Sequence, residues 1–371
     1  MASIYIHIPF CKTKCIYCNF YSVVSTKDIE TYISVLCQEI ENRSSAQRIH
    51  TIYFGGGTPT LLPIQSLEKI MGVIHKNFRV DSNAEITIEG NPDQCTVSDL
   101  IKLKKLGFNR LSIGAQSFND KILQFLGRTH SGKDALLAVE NAVNAGFENI
   151  SIDLMYGISL RLLQDWEQEL KTAFLLPVKH LSAYALTVEE NTRLHKIFLQ
   201  YPKQEKDEES TLHEMQLLMN EAENNSFEHY EVSNFAMKGF YSKHNSNYWN
   251  GTHYLGFGAS AHSFNGTIRR WNIQSVKKYI EAIKENEPFF ETETLTPEDL
   301  YNEYILLRLR TKEGIDLKHL EETLGKERLN FFLVALKKLN PLHYKIEDGR
   351  VSVTRAGMPI LDFVAVQLWL E

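Results

Sequence analysis

The chain has 371 residues, 43% of them apolar and 23% charged, with a formal net charge of −6. This is the make-up of an ordinary globular protein with room for one large domain and a smaller one, and it argues against a basic nucleic-acid-binding surface. No apolar run approaches the ~20 residues of a bilayer-spanning helix, and a strand pattern starts almost at once, so the expectation is a cytoplasmic protein without a signal peptide.

The first strand pattern covers residues 3–9. Ile4, Ile6 and Ile8 share one face, with Tyr5, His7 and Pro9 on the other. Cys11, Cys15 and Cys18 follow directly, at spacing C-x3-C-x2-C, while Cys37 and Cys95 stand alone. Three thiolates on one short loop can converge on a soft metal centre. A disulfide reading fits poorly, because an odd cluster leaves one thiol unpaired. Two metal readings remain open. In one, His7 completes a Cys3His zinc site. In the other, the loop holds a [4Fe–4S] cluster, which normally takes four cysteines and here would keep one iron open to an outside ligand.

Further strand patterns lie at 51–55, 85–90, 110–116, 149–156 and 180–186. Amphipathic stretches at 28–43, 64–77, 96–106, 131–145 and 162–175 separate them. Six such units predict an α/β fold with a parallel sheet. Two units, LKKLGFNRLSIGAQ and AVNAGFENISIDLMYG, run alike from helix end through Gly-Phe into a strand. This weak repeat fits a (β/α) barrel, with a doubly wound sheet as the competing architecture. Glu89, Gln116, Asp153 and the run Gly55-Gly56-Gly57-Thr58 all fall at the carboxyl half of a strand or beyond it. That is the ligand face of both architectures. The glycine run is expected to let the backbone approach a ligand. It is no phosphate loop, since no Gly-Lys-Ser/Thr follows.

Residues 187–228 are polar and helical in part, with a charged run at 203–209, and a helix at 274–286 closes the larger domain. Beyond Pro288 come helices near 298–310, 316–323 and 326–338, a hairpin around Asp348-Gly349 and a last helix. Three helices and a hairpin suggest a winged-helix-like domain. Helices 298–338 carry no strong basic stripe, so a lid or partner surface is expected rather than a DNA reader. The expected division is 1–290, with an extension from about 187, and 291–371.

The motifs YIHIPFC, GGGTPT, IEGNP around Glu89, GAQSF around Gln116, Gly127-Arg128-Thr129-His130 and DLMYG around Asp153 together resemble the radical S-adenosylmethionine (SAM) superfamily, in its branch acting on porphyrins. The resemblance implies a partial (β/α)6-type TIM barrel with a C-terminal helical, winged-helix-like domain. It implies that Cys11, Cys15 and Cys18 ligate the cluster, and that SAM chelates the open iron and is split to a 5′-deoxyadenosyl radical. Tyr5, Gly56 and Glu89 would contact that SAM. Tyr17, Gly57, Thr58, Gln116, Arg128 and Asp153 match positions that touch SAM or a second SAM molecule, and Ala185 joins them.

One departure separates two branches. The porphyrin dehydrogenase has a fourth cysteine two residues after the third, and here that position is Phe20. Phenylalanine there, with YEVSNFA at 230–236, HNSNYW at 244–249 and YLGFGASAHS at 254–263, resembles the heme chaperone branch, whose proposed heme-binding signature is HNxxYW. The resemblance implies that the protein binds heme and passes it to an acceptor protein, including a membrane-associated one, with a reductant protein serving the cluster and no nucleic acid. His244 would be an axial iron donor, and Tyr248 and Trp249 flat apolar walls. The alternative is an oxygen-independent coproporphyrinogen III oxidase. A third reading is a zinc-stabilised α/β protein without redox chemistry.

Overall fold

The computed structural model describes residues 2–159, 163–201 and 208–370. Of the charged run at 203–209, residues 203–207 lie outside the described residues, as does residue 162 of the stretch 162–175.

Six parallel strands form the framework: β1 (Ala2–Ile8), β2 (Arg48–Gly56), β3 (Arg79–Gly90), β4 (Arg110–Gln116), β5 (Asn149–Tyr156) and β6 (His180–Ala185). They lie side by side in chain order. A doubly wound sheet reverses its order at a switch point; this one does not, so the competing architecture is set aside. Helices Ile29–Asn42, Ile64–Asn77, Val97–Lys105, Gly132–Asn144 and Leu163–Leu175 occupy the intervening segments, close to their expected bounds. The short helix Asp120–Leu126 before the fourth of these was not expected.

Alternation along each strand sorts residues to two faces. Ile4, Ile6, Ile8, Ile52, Phe54, Ile86, Ile88, Leu111, Ile113, Ile150, Ile152, Leu154 and Leu181 are buried in one large apolar core. The opposite face carries Tyr5, His7, Thr51, Tyr53, Glu85, Thr87, Glu89, Arg110, Ser112, Ser151, Asp153, His180 and Ser182. A packed TIM barrel fills its interior mainly with branched apolar residues. Here the lumen is lined by polar ones, and hydrogen bonds such as Tyr53 to Glu89, Ser112 to Asp153 and Ser151 to His180 join neighbouring strands along it.

The sheet does not close. β7 (Glu228–Glu231) and β8 (Asn234–Ala236) extend it antiparallel beyond β6, and β9 (Tyr254–Phe257) runs parallel to β1 at the other side. Strands β10 (His262–Phe264), β11 (Ile268–Asn272) and β12 (Phe290–Thr294) follow antiparallel, giving twelve strands. The sequence reading missed β7–β12, each of them three to five residues long. β12 also carries the large sheet past residue 290, four residues beyond the expected division. Buried Glu39 ties this extension to the barrel: its carboxylate accepts from Arg43, the Gly258 N–H, Asn272 and the Tyr279 hydroxyl.

A second apolar core, including Tyr301, Leu309, Leu320, Phe332, Leu336, Val351 and Leu368, lies in the C-terminal part. It is built from helices Pro297–Leu309, Leu317–Leu324, Lys326–Leu336 and Leu361–Val366 with strands β13 (Ile315–Asp316), β14 (Tyr344–Glu347) and β15 (Arg350–Val353). Thr296 and Asp299 form a reciprocal capping box at the start of the first helix. No described helix is long and apolar enough to cross a membrane.

Candidate cluster and ligand site

The cysteine loop leaves the carboxyl end of β1. Its backbone is fixed at both ends: Cys11 N donates to Val23 O at 3.0 Å, and Ile16 N to Leu126 O at 3.2 Å. Cys11, Cys15 and Cys18 all line one cavity, together with Tyr17, Gly56, Gly57, Thr58, Asn91, Arg128 and Thr129. Thr58 Oγ1 donates to Cys11 Sγ at 3.6 Å, and Arg128 Nη1 to Cys15 Sγ at 3.4 Å. These donors stabilise negative charge on sulfur. Burial pushes the Cys11 and Cys18 thiols up, which a cationic metal centre reverses. Cys37 and Cys95 are buried in the apolar core, away from this cavity.

His7 is no partner to these thiols. Its Nδ1 meets the Tyr5 hydroxyl at 3.0 Å and its Nε2 the Tyr21 carbonyl at 3.0 Å, and burial lowers its pKa to about 4. Both ring nitrogens are engaged, and among the described residues no three His, Cys, Asp or Glu side chains are set around one ion position. The zinc reading loses its fourth ligand. Three thiols spread around a cavity match a cluster that presents a separate iron to each.

The glycine run is also needed where two parts of the protein meet. A Cβ on Gly57 would come within 2.7 Å of Phe10 O and 2.8 Å of Ile8 O; one on Gly56, at φ +106°, would meet the His7 ring at 2.4 Å. The same backbone is laced to the β1 exit, with Gly57 N donating to Ile8 O and Thr58 N to Phe10 O, each at 2.8 Å. The glycines therefore let two parts of the protein touch, and Gly56 and Gly57 also line the ligand cavity. Gly57→Ala is expected to destabilise the ligand-free protein by about 2–3 kcal/mol, because backbone carbonyls cannot yield as a side chain does. Calorimetry checks it; an unchanged melt would return the loop to a ligand-cradling role alone.

The remaining expected residues form a tier beneath. Glu89 accepts from Tyr53 Oη at 2.7 Å and from Gly56 N at 3.2 Å, and burial pushes its carboxyl up to about 7. Asp153 accepts from Ser112 Oγ at 3.1 Å and is likewise raised by burial. Tyr5 stacks on Tyr53 at 6.2 Å between ring centroids. Gln116 ends β4 in the left-handed region, at φ +65°, beside a register shift. Such strain on a non-glycine residue is held where its surroundings over-determine it. A Cβ on Gly114 would lie between the Gln116 amide and the Arg128 guanidinium. Ala185 is exposed at the end of β6 and touches none of this tier's hydrogen bonds.

A raised carboxyl has a definite sign. Between the ordinary 4.5 and about 7, the folded Glu89 keeps a proton that the unfolded chain releases. Stability of the ligand-free protein therefore falls as pH rises through that window and levels off above it. Glu89→Gln is expected to flatten this decline by about 1–2 kcal/mol, read from denaturant midpoints at pH 4.5 and 8.

Sequence reasoning missed Asn91 and Tyr53. Asn91 donates to Thr58 Oγ1 at 3.3 Å and accepts from Arg128 at 2.7 Å, joining the glycine loop to the arginine. It stands inside the IEGNP motif, and the alternation that placed Tyr5 in the lumen also places Tyr53 there.

The HNSNYW segment lies elsewhere. It forms the helix Lys243–Trp249, which closes the opposite, amino-terminal end of the barrel. The Lys243 and His244 N–H groups donate to Glu85, and Asn247 reaches Ser3 Oγ at 2.9 Å. His244 is 1% exposed, with Nδ1 at 2.9 Å from Thr51 Oγ1 and Nε2 at 2.9 Å from Tyr248 Oη, and its ring stacks on Tyr53 at 5.0 Å. Both ring nitrogens are bonded, so His244 could serve as an axial donor only if one of these bonds opened. Trp249 instead faces a 320 Å³ cavity shared with Tyr230, Tyr241, Arg308 and Arg350. Phe20 stands 70% exposed beside the cysteine loop.

A partial parallel barrel with three thiols at the carboxyl end of its first strand is the arrangement of a radical SAM protein. Residues 5–173 match the radical SAM superfamily and residues 295–360 the HemN C-terminal domain. The chain is 38% identical over 349 residues to the heme chaperone HemW of Bacillus subtilis, covering 91% of each chain. It is 34% identical to HemW of Lactococcus lactis (86% of this chain, 84% of that) and 31% to HemW of Mycobacterium tuberculosis (85% and 83%). Likeness at this level over nearly the whole length places the chain in the HemW heme chaperone family of radical SAM proteins. Its fold is similar to that of coproporphyrinogen III oxidase (HemN) from Escherichia coli, with TM-score 0.85 and 24% identity over 99% of this chain and 89% of that one.

Proposed function

We propose that this protein binds heme and transfers it to acceptor proteins. The observation that carries the reading is the likeness to HemW chaperones through both the barrel and the C-terminal part. Phe20 supports it, since it stands where the porphyrin dehydrogenase branch has a cysteine. Cys11, Cys15 and Cys18 would hold a [4Fe–4S] cluster, with SAM at the cavity they share with Tyr17, Gly56, Gly57, Thr58 and Arg128. When bound, that pair supplies one-electron chemistry. Thr58 and Arg128 balance the thiolate charge at Cys11 and Cys15, and Glu89 and Asp153 stand below as acceptors for ligand N–H or hydroxyl groups, with Tyr5 and Gln116 at their flanks. We assign the barrel to residues 1–294 and the C-terminal part to the remainder. A reductant protein, a heme acceptor, membrane-associated or not, and a cytoplasmic setting belong to the same reading.

Titration with hemin is expected to give a Soret band at near one-to-one stoichiometry. Coproporphyrinogen III, with SAM and a reductant, is expected to give no protoporphyrinogen. Catalytic turnover by the cluster-replete protein would overturn the chaperone reading in favour of the oxidase.

A further inference from the structure

One layer of the barrel lumen holds polar groups that the protein itself leaves without partners. Adjacent strands align Tyr5 with Tyr53, Tyr53 with Thr87, Thr87 with Arg110 and Arg110 with Asn149. Three consecutive members of this row, Thr87 Oγ1, Arg110 Nε and Asn149 Oδ1, are buried with no hydrogen-bond partner among the described residues. Arg110 is 1% exposed. An arginine cannot shed its proton to escape burial, so its charge must be met where it stands.

Glu89 and Asp153 stand close enough to feel the Arg110 charge, but their hydrogen bonds, and those of Glu85, go to other groups. Glu89 is bonded to Tyr53 and Gly56, Asp153 to Ser112, and Glu85 to the first N–H groups of the helix that closes the barrel. The histidines around the layer add nothing negative. His180 bonds Ser151 and Tyr230, His244 bonds Thr51 and Tyr248, and burial holds both well toward the neutral form. The attraction of Glu89 and Asp153 offsets part of the guanidinium charge but leaves its Nε–H without an acceptor.

We propose that the Thr87–Arg110–Asn149 layer is a small-anion site, deep in the lumen between the acidic tier and the closing helix. The guanidinium would offer paired donors and Thr87 a hydroxyl, a set that suits a carboxylate or a comparable anion. The row is built by strand register, so the three groups are held by the sheet rather than by a loop. The anion has two possible sources, a free ion or a carboxylate arm of a larger ligand entering the lumen, and the shared chemistry is the same.

Bromide and formate serve as probes. Crystals of the ligand-free protein soaked in bromide are expected to show an anomalous peak beside Arg110. Formate is expected to raise the melting temperature of the wild type above that in an ionic-strength-matched control. Arg110→Met should lose the peak and weaken the formate response roughly tenfold or more, and Thr87→Val, a near-isosteric change, should weaken it less. If hemin displaces bromide from the layer and hemin dimethyl ester does not, the source is a carboxylate arm; if neither does, it is a free anion. Water alone at Arg110 in the bromide-soaked wild type, or an equal formate response in wild type and Thr87→Val, would overturn the site. Neither result depends on whether the protein transfers heme.

Discussion

Protein reconstituted without oxygen is expected to carry about four irons per chain, as a [4Fe–4S] centre requires. Replacing Cys11, Cys15 and Cys18 together by alanine is expected to abolish the iron and its brown absorbance entirely. Cys37→Ala and Cys95→Ala should leave both intact, because those thiols are packed in the apolar core. The contrast is large because the three loop thiols supply every protein sulfur in the cavity. Arg128→Met tests the supporting shell: it removes the 3.4 Å donor to Cys15 and should shift the cluster's reduction potential more than its iron content. Stoichiometric zinc without iron would sink the cluster assignment, although His7 is already bonded at both nitrogens.

The second large effect concerns His244. Its replacement by alanine leaves Thr51 and Tyr248 without their shared partner, opens a cavity against Tyr53 and unseats the helix that closes the barrel. The expected cost is about 3 kcal/mol of folding stability. The Soret band and hemin affinity, measured at a temperature where the variant is folded, are expected to match the wild type. The chain has 13 histidines, so other donors are available to iron. A shifted Soret band with an unchanged melting curve would reverse this assignment. It would mean that the closing helix swings out in solution and offers His244 to the metal.

The two results bear on different ends of one barrel, and that separation is the main thing the tertiary structure adds. The cysteine loop and the tier of Glu89, Gln116 and Asp153 could be placed from the sequence, because each follows a strand or lies in its carboxyl half, and the strands' alternation and spacing are local properties. The same alternation sent Tyr5 and His7 to the lumen, and the structure puts them there. Local signals also gave the hairpin turn at Asp348-Gly349.

What the amino-acid sequence by itself determined is thus the order of strands and helices, the thiol loop and the polar inner face. What only the folded chain decided is where distant segments meet. Where the HNSNYW helix packs shows only when Asn247 is found bonded to Ser3, 244 positions away, with His244 under the barrel floor. That the glycine run also packs against the Phe10 and Ile8 carbonyls shows only in the folded chain. Strands β7 to β12 are too short to show a period, and neighbouring strands, not their own composition, give them their pairing. The Thr87–Arg110–Asn149 row exists only through register, since three residues from three strands become neighbours when the sheet forms. Local periodicity is written in adjacent residues; contact between residues far apart in the chain is set by packing, which no short stretch encodes.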